Sequence, residues 1–70
     1  MKIYRYFCRK TRPSDIPPVV SPHTVVEYET PVDSGNGKLM YGYIDYAQPL
    51  SDELVSYFGL EAAPINPIEM

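Results

Sequence analysis

Lys2-Ile3-Tyr4-Arg5-Tyr6-Phe7-Cys8-Arg9 is the stretch that decides the fold class. It is dense in aromatic and β-branched residues, which favour a pleated, half-buried backbone. With a side-chain period of two, Tyr4, Tyr6 and Cys8 share one face, and Ile3, Arg5, Phe7 and Arg9 share the other. The segment reads as a strand.

Downstream, Thr11 to Pro22 carries Pro13, Pro17, Pro18 and Pro22, each fixing φ and removing an amide donor. Neither a helix nor a central strand can run through it, so it reads as an extended loop whose apolar Ile16, Val19 and Val20 lie across the sheet. Thr24 to Thr30 alternates as a second strand, with Val26 and Tyr28 on the expected inner face and Val25, Glu27 and Glu29 on the other. From Pro31 to Lys38 the chain contains Gly35-Asn36-Gly37, which supplies the positive-φ positions of a hairpin reversal. Leu39 to Tyr46 then returns as a third strand, with Met40, Gly42, Ile44 and Tyr46 opposite Leu39, Tyr41, Tyr43 and Asp45. Gly42 has no side chain to pack, so a bulge or a close approach by another backbone or an aromatic ring is expected there.

The end of the chain holds a helix signal. Ser51 can cap orphan amides, Asp52 and Glu53 complement the positive end of the dipole, and Leu50 can staple against Val55. Leu54, Val55, Tyr57 and Phe58 form an apolar stripe, and Gly59 is placed to stop the helix in a left-handed conformation. The tail from Glu61 to Met70 has two prolines and no periodicity, which predicts loose order. The expected architecture is α+β: a three-stranded antiparallel sheet with one short helix packed on one face, in a single domain over residues 1–60 and a tail over 61–70. Strand order stays open, because the loop from Thr11 to Pro22 can place the first strand beside either of the others.

Size and composition bound the function. With 70 residues, 44% of them hydrophobic, the chain fits one small core. Such a domain buries only roughly 60% of its unfolded surface, and catalytic constellations need a rigid supporting shell, so an enzyme is not expected. Cys8 is the single cysteine and cannot form an internal disulfide, which favours a reducing, cytoplasmic setting. Zinc needs about four clustered ligands, and Cys8 with His23 makes two, so neither metal nor cofactor is expected. No apolar run approaches the roughly 20 residues of a membrane span, and the first residues lack the apolar core of an export signal.

The remaining chemistry is weak. His23 stands alone in a loop, and no third group orients a Cys8–His23 nucleophile pair. Asp52-Glu53 sits where a helix start wants acids, Glu27 and Glu29 alternate like a solvent face, and Gly35-Asn36-Gly37 lacks the helix and Lys-Ser/Thr of a phosphate loop. Charge is more informative. Residues 1–12 hold Lys2, Arg5, Arg9, Lys10 and Arg12 and no acid, a charge of +5, whereas everything after them sums to −8.

One series of motifs carries a resemblance. Arg12-Pro13 enters the proline-rich loop, Val25-Val26-Glu27 follows, and Tyr41-Gly42-Tyr43-x-x-Tyr46-x-x-Pro49-Leu50 leads into an acidic short helix ending near Tyr57. Over about Tyr4 to Leu60 the chain resembles small uncharacterised proteins of conjugative and phage-like elements of gut bacteria, similar to a domain associated with large polyvalent proteins. The aromatic-Gly-Tyr segment is its most specific part, although the pattern commonly has Trp at the position of Tyr41, and Gly-Thr where this chain has Asp15 and Ile16. The resemblance implies an accessory role in a mobile genetic element and supplies no catalytic residues.

Two function classes follow. The first is a protein-interaction module, monomeric or weakly homodimeric, that meets a protein partner through a tyrosine-bearing sheet face, with Tyr41, Tyr43 and Tyr46, or through the proline-rich loop; tyrosine combines an apolar ring with a polar tip. The second is a weak nucleic-acid binder using Lys2, Arg5, Arg9, Lys10 and Arg12 beside Tyr4 and Tyr6. Pairing of those cations with Glu27 or Glu29 would count against it. An acidic mimic of nucleic acid is a third possibility, requiring carboxylates ranked along one face.

Overall fold

The computed structural model describes residues 1–17, 20–33 and 37–69. The elements are β1 (Lys2–Cys8), β2 (Thr24–Asp33), β3 (Leu39–Tyr46), α1 (Asp52–Tyr57), β4 (Leu60–Ala62) and β5 (Ile68–Glu69), with a 3-10 turn over Pro13–Asp15 in the proline-rich loop. The strands form one antiparallel sheet in the order β2-β3-β1-β4, and β5 also pairs with β1. The first strand therefore lies beside the third, at the centre of the sheet.

The expected count of three strands is corrected to five, and the tail expected to be loose supplies the two additional ones. The reason lies in the second hydrogen-bonding side of β1. β3 covers one side, with Tyr6 opposite Ile44 and Cys8 opposite Gly42, and the other side would strand backbone donors and acceptors without a further partner. Leu60 and Ala62 pair with Cys8 and Tyr6 on that side. Beyond them the Ala63 amide donates to the Arg5 carbonyl at 2.9 Å. The Asn66 side chain then clasps Arg5, accepting from its amide and donating to its carbonyl, both at 2.8 Å. Lys2 and Ile3 finish the edge against Glu69 and Ile68. Two prolines prevent one long strand, so the tail pairs in two short pieces.

The core is built on the face shared by Tyr6, Cys8, Ile44, Tyr46 and Leu60, with Ile16, Leu50, Val55 and Phe58 packed onto it. The helix over this face starts as its residues predict. Ser51 Oγ accepts from the Leu54 amide at 3.3 Å, and Gly59, at φ +64°, follows the C-cap Phe58. Buried Tyr6 adds a tertiary anchor, its hydroxyl accepting from the Leu50 amide at 3.0 Å. Tyr57 departs from the expected stripe: it is 80% exposed and meets Phe58 edge-to-face.

β2 needs two corrections. It continues through Pro31 to Asp33, with its register to β3 shifting between Glu27 and Val32. A proline is tolerated there because β2 is an edge strand with a bulge. Val26 and Tyr28 are on the more buried side of β2, as expected, but that side is opposite the helix-covered core cluster. Register places Val26 opposite Tyr43, whereas Val25 and Glu27 lie opposite Ile44 and Gly42 on the core side. On the core side of β2 the 3-10 turn, rather than the helix, makes contact, with the Ser14 amide donating to Glu27, while Val25 and Glu27 stay exposed.

Gly42 is where that turn touches the sheet. It has φ +151°, and a Cβ there would lie 2.2 Å from the Val26 carbonyl oxygen and 2.7 Å from the Pro13 ring. The expected close approach is thus made by a backbone and a proline ring. Of the loop residues expected to cover the sheet, Ile16 packs on the core, Val20 is exposed and Val19 lies outside the described residues. Of the reversal expected at Gly35-Asn36-Gly37, Gly35 and Asn36 also lie outside them, and Gly37 has φ +73°. Among the described residues no helix is long and apolar enough to cross a membrane.

Candidate functional site

Alternation that sends Tyr6, Cys8, Ile44 and Tyr46 into the core sends Arg5, Phe7, Tyr43, Asp45, Val26 and Tyr28 to the opposite face. Neither α1 nor the 3-10 turn packs there: Val55 and Phe58 lie on the core cluster, and Pro13 sits at Gly42 on the core side. Three rings run across it through edge-to-face contacts. Phe7 and Tyr43 have centroids 6.2 Å apart, and Tyr43 and Tyr28 have centroids 6.4 Å apart. The row crosses β1, β3 and β2, and all three residues are half-buried. The Arg5 guanidinium lies over the Tyr43 ring, 4.0 Å from its centroid, in the range where a cation is drawn to the ring face.

Arg5 also forms a two-point ion pair with Asp45. Nε reaches Oδ1 at 2.8 Å and Nη2 reaches Oδ2 at 3.0 Å. Asp45 is 2% exposed and would be costly to bury without this counter-charge. The hydrogen bond to Asp45, opposed in part by desolvation, raises the Arg5 pKa further above its already high ordinary value. The pair is opposed across the sheet, Arg5 on β1 facing Asp45 on β3.

The tyrosines expected to form one binding surface are separated by the fold. Tyr43 sits at the centre of the aromatic row. Tyr46 is 5% exposed in the core, edge-on to Tyr6 at 6.0 Å, which contradicts a surface role. Burial, with Cys8 and Tyr6 adding, raises its hydroxyl pKa. Tyr41 is half-buried and packs against the core cluster. Phe7 and Tyr28 take the places expected for Tyr41 and Tyr46. Their only sequence signal was the period-two face they share with Arg5 and Val26, and it becomes usable only once the register is known.

The basic N-terminal segment is largely neutralised. Arg5 is held by Asp45, Arg9 forms an ion pair with Glu61, and Arg12 lies 3.5 Å from Glu27. The last is one of the pairings that count against a nucleic-acid surface. Hydrogen bonds from Ser14, side chain first and then backbone, hold the Glu27 carboxyl below its ordinary range, with Arg12 adding to the effect. Lys2 and Lys10 are exposed. The same contacts tie three carboxylates to this chain's own cations, which weakens an acidic mimic as well.

Cys8 is fully buried, and desolvation, reinforced by Glu27, pushes its thiol up to about 11. A thiol held protonated is a poor nucleophile. His23 is exposed, with Nδ1 2.9 Å from the Thr24 hydroxyl. Among the described residues no group of three or more His, Cys, Asp or Glu side chains could hold a metal ion. No family model, curated protein or solved structure matches the chain.

Proposed function

We propose that this chain is a non-enzymatic protein-interaction module that docks a protein partner on the aromatic sheet face, with Phe7, Tyr28 and Tyr43 as the contact row and Arg5 at its centre. The observation that carries this reading is the row itself: three half-buried rings, Tyr43 touching both Phe7 and Tyr28, on the face opposite the core cluster. Aromatic rings and arginine are the side chains that dominate binding energy at interfaces, and a rigid row spends little entropy on docking. Charges on this face are already matched by Asp45 and Glu61, so the complementary surface is apolar at its centre. The chain's net charge of −3 favours a basic rim on the partner. A role as an accessory protein of a mobile genetic element rests on the residue resemblance alone and adds where such a partner is encoded.

The test compares the unsubstituted chain with a Phe7→Thr/Tyr28→Thr variant, both checked for a dispersed amide spectrum. Each is cross-linked in the cell that encodes it. A partner captured by the first and lost from the second supports the reading, whereas capture insensitive to the double substitution removes it. Titration with single-stranded and duplex oligonucleotides is the companion measurement. Shifts in residues 2–12 that survive physiological salt would transfer the surface to nucleic acid, because electrostatic binding alone fades steeply with salt.

A further inference from the structure

Ring geometry in the aromatic row discriminates between ligand classes. Phe7 meets Tyr43 at an interplanar angle of 79°, and Tyr28 meets Tyr43 at 67°, so the three rings present a ridged surface rather than one flat platform. A nucleobase stacks on an open ring face, and one face of Tyr43 is already taken by the Arg5 guanidinium, 4.0 Å from the centroid. Ridged aromatic surfaces suit the three-residue repeat of a polyproline II helix instead. We propose, on the reading of this face as a protein-docking surface, that it takes a proline-rich segment of the partner in the polyproline II conformation.

Hydrogen bonding selects the same class. The backbone beneath the row is committed to the sheet, with Phe7 paired to both Tyr43 and Glu61, and Val26 paired to Tyr43. A ligand lying on this face cannot join as a further strand, since strands add at edges. A helix spends its carbonyls on its own amides. A polyproline II segment has no internal hydrogen bonds and keeps its carbonyls open, while each proline lacks a donor. The face offers the complementary donors. Among the described residues the hydroxyls of Tyr28 and Tyr43 have no hydrogen-bond partner, and Arg5 binds Asp45 through Nε and Nη2, leaving Nη1 for an acceptor. Charge complementarity agrees. Asp45 is held by Arg5 and Glu61 by Arg9, so the centre calls for an uncharged ligand rich in acceptors, and basic residues on the partner belong in the flanks of the proline segment, where the chain's net charge of −3 favours them.

The experiment is an amide NMR titration of the full chain at physiological salt with end-blocked decaproline, an end-blocked Gly-Ser decamer and cellohexaose. Decaproline is expected to give saturable shifts at Arg5, Phe7, Tyr28 and Tyr43, and the Gly-Ser decamer, which has open carbonyls but no proline rings, to leave those amides unmoved. Phe7→Thr/Tyr28→Thr is expected to bind decaproline about tenfold more weakly or worse. Tyr28→Phe/Tyr43→Phe keeps every ring and removes two donors, with a loss of about fivefold expected. Absence of saturable shifts, an equal response to the Gly-Ser decamer, or unchanged affinity in the threonine variant would overturn the proposal. Tighter binding of cellohexaose than of decaproline at these amides would overturn it too, in favour of a sugar platform. Should the threonine variant fail to fold, the phenylalanine variant decides, and unchanged affinity there overturns the donor argument and the proposal with it. A partner cross-linked through the row in the cell while decaproline gives no shifts removes this inference and leaves the docking reading standing. Loss of row-dependent capture together with the decaproline shifts removes both.

Discussion

The Tyr6 hydroxyl accepts a hydrogen bond from the Leu50 amide at 3.0 Å, joining the central strand to the residue that leads into the helix. Tyr6 is 5% exposed, so its polar tip needs a partner inside the fold, and Leu50 offers an amide next to the N-cap Ser51. Tyr6→Phe keeps the ring and removes the acceptor. Stability is expected to fall by about 1–2 kcal/mol, the cost of a lost hydrogen bond that leaves a partly buried donor behind. Denaturant titration measures the loss. Hydrogen exchange locates it, with the Leu50 amide losing protection while the central amides of β1 and β3 keep theirs relative to global unfolding. Unchanged exchange at Leu50 would show that the bond does not hold the helix.

Gly42→Ala tests the contact between sheet and turn. The added carbon would lie 2.2 Å from the Val26 carbonyl oxygen and 2.9 Å from the Glu27 Cα, both backbone atoms of the adjacent strand. Neither can swing away as a flexible side chain would, and φ is positive as well, so β2 must separate locally from β3. A loss of about 3 kcal/mol or more is expected. Gly59→Ala is the control. It also has a positive φ, +64°, but its nearest contacts are the flexible Lys10 stem, so a loss of only about 1–2 kcal/mol is expected. Equal losses at the two glycines would mean that the close approach at Gly42 contributes nothing.

Cys8 sets an alkaline limit. Its folded pKa is raised to about 11 by burial and Glu27, so folding favours the protonated thiol. The resulting stability is fully present below the ordinary thiol pKa of 9.0 and is lost as pH rises toward about 11. Its size is on the order of 2–3 kcal/mol. Urea midpoints of the unsubstituted chain and Cys8→Ala at about pH 8 and about pH 10.5 isolate it. Tyr46 is present in both, so the part of its raised pKa that comes from burial and Tyr6 cancels in the comparison. The unsubstituted chain is expected to lose more stability over this interval than the variant, and parallel losses would show that the thiol is not shielded.

Helix α1 was legible because its signals are local. Ser51, the acidic first turn and Gly59 act on backbone groups within a few residues of themselves, and the helix begins and ends where they predict. The strands over Lys2–Cys8 and Leu39–Tyr46 were legible for the same reason, since alternation is written residue by residue. Pro31 misled the reading of β2. A proline ends a central strand, and only the position of β2 at the edge shows that it can run on. The tail misled it further, because Leu60–Ala62 and Ile68–Glu69 are too short to show periodicity.

The candidate site was less legible than the fold. Tyr43 lies on the face opposite the core cluster; Tyr41, expected beside it by the period of two, packs against that cluster instead, and Tyr46 was added from the other face. A tyrosine three residues along a strand lies on the opposite face, so Tyr46 had to leave the row that Tyr43 occupies. Arg5 and Asp45 look unrelated in a linear chain, separated by 40 positions. They become a pair because β1 lies against β3, a choice the long proline-rich loop left open.

By itself, the sequence determined where the chain is extended, where it turns into a short helix, and which residues of each strand share a side. Those properties depend on rotation per residue and on neighbours within a turn. The tertiary structure alone decided that β1 is central, that the tail completes the sheet, and that Phe7, Tyr43 and Tyr28 form one row. These depend on strand order and register, which are set by which unpaired backbone edges and apolar faces can be satisfied together, and no single segment carries that information.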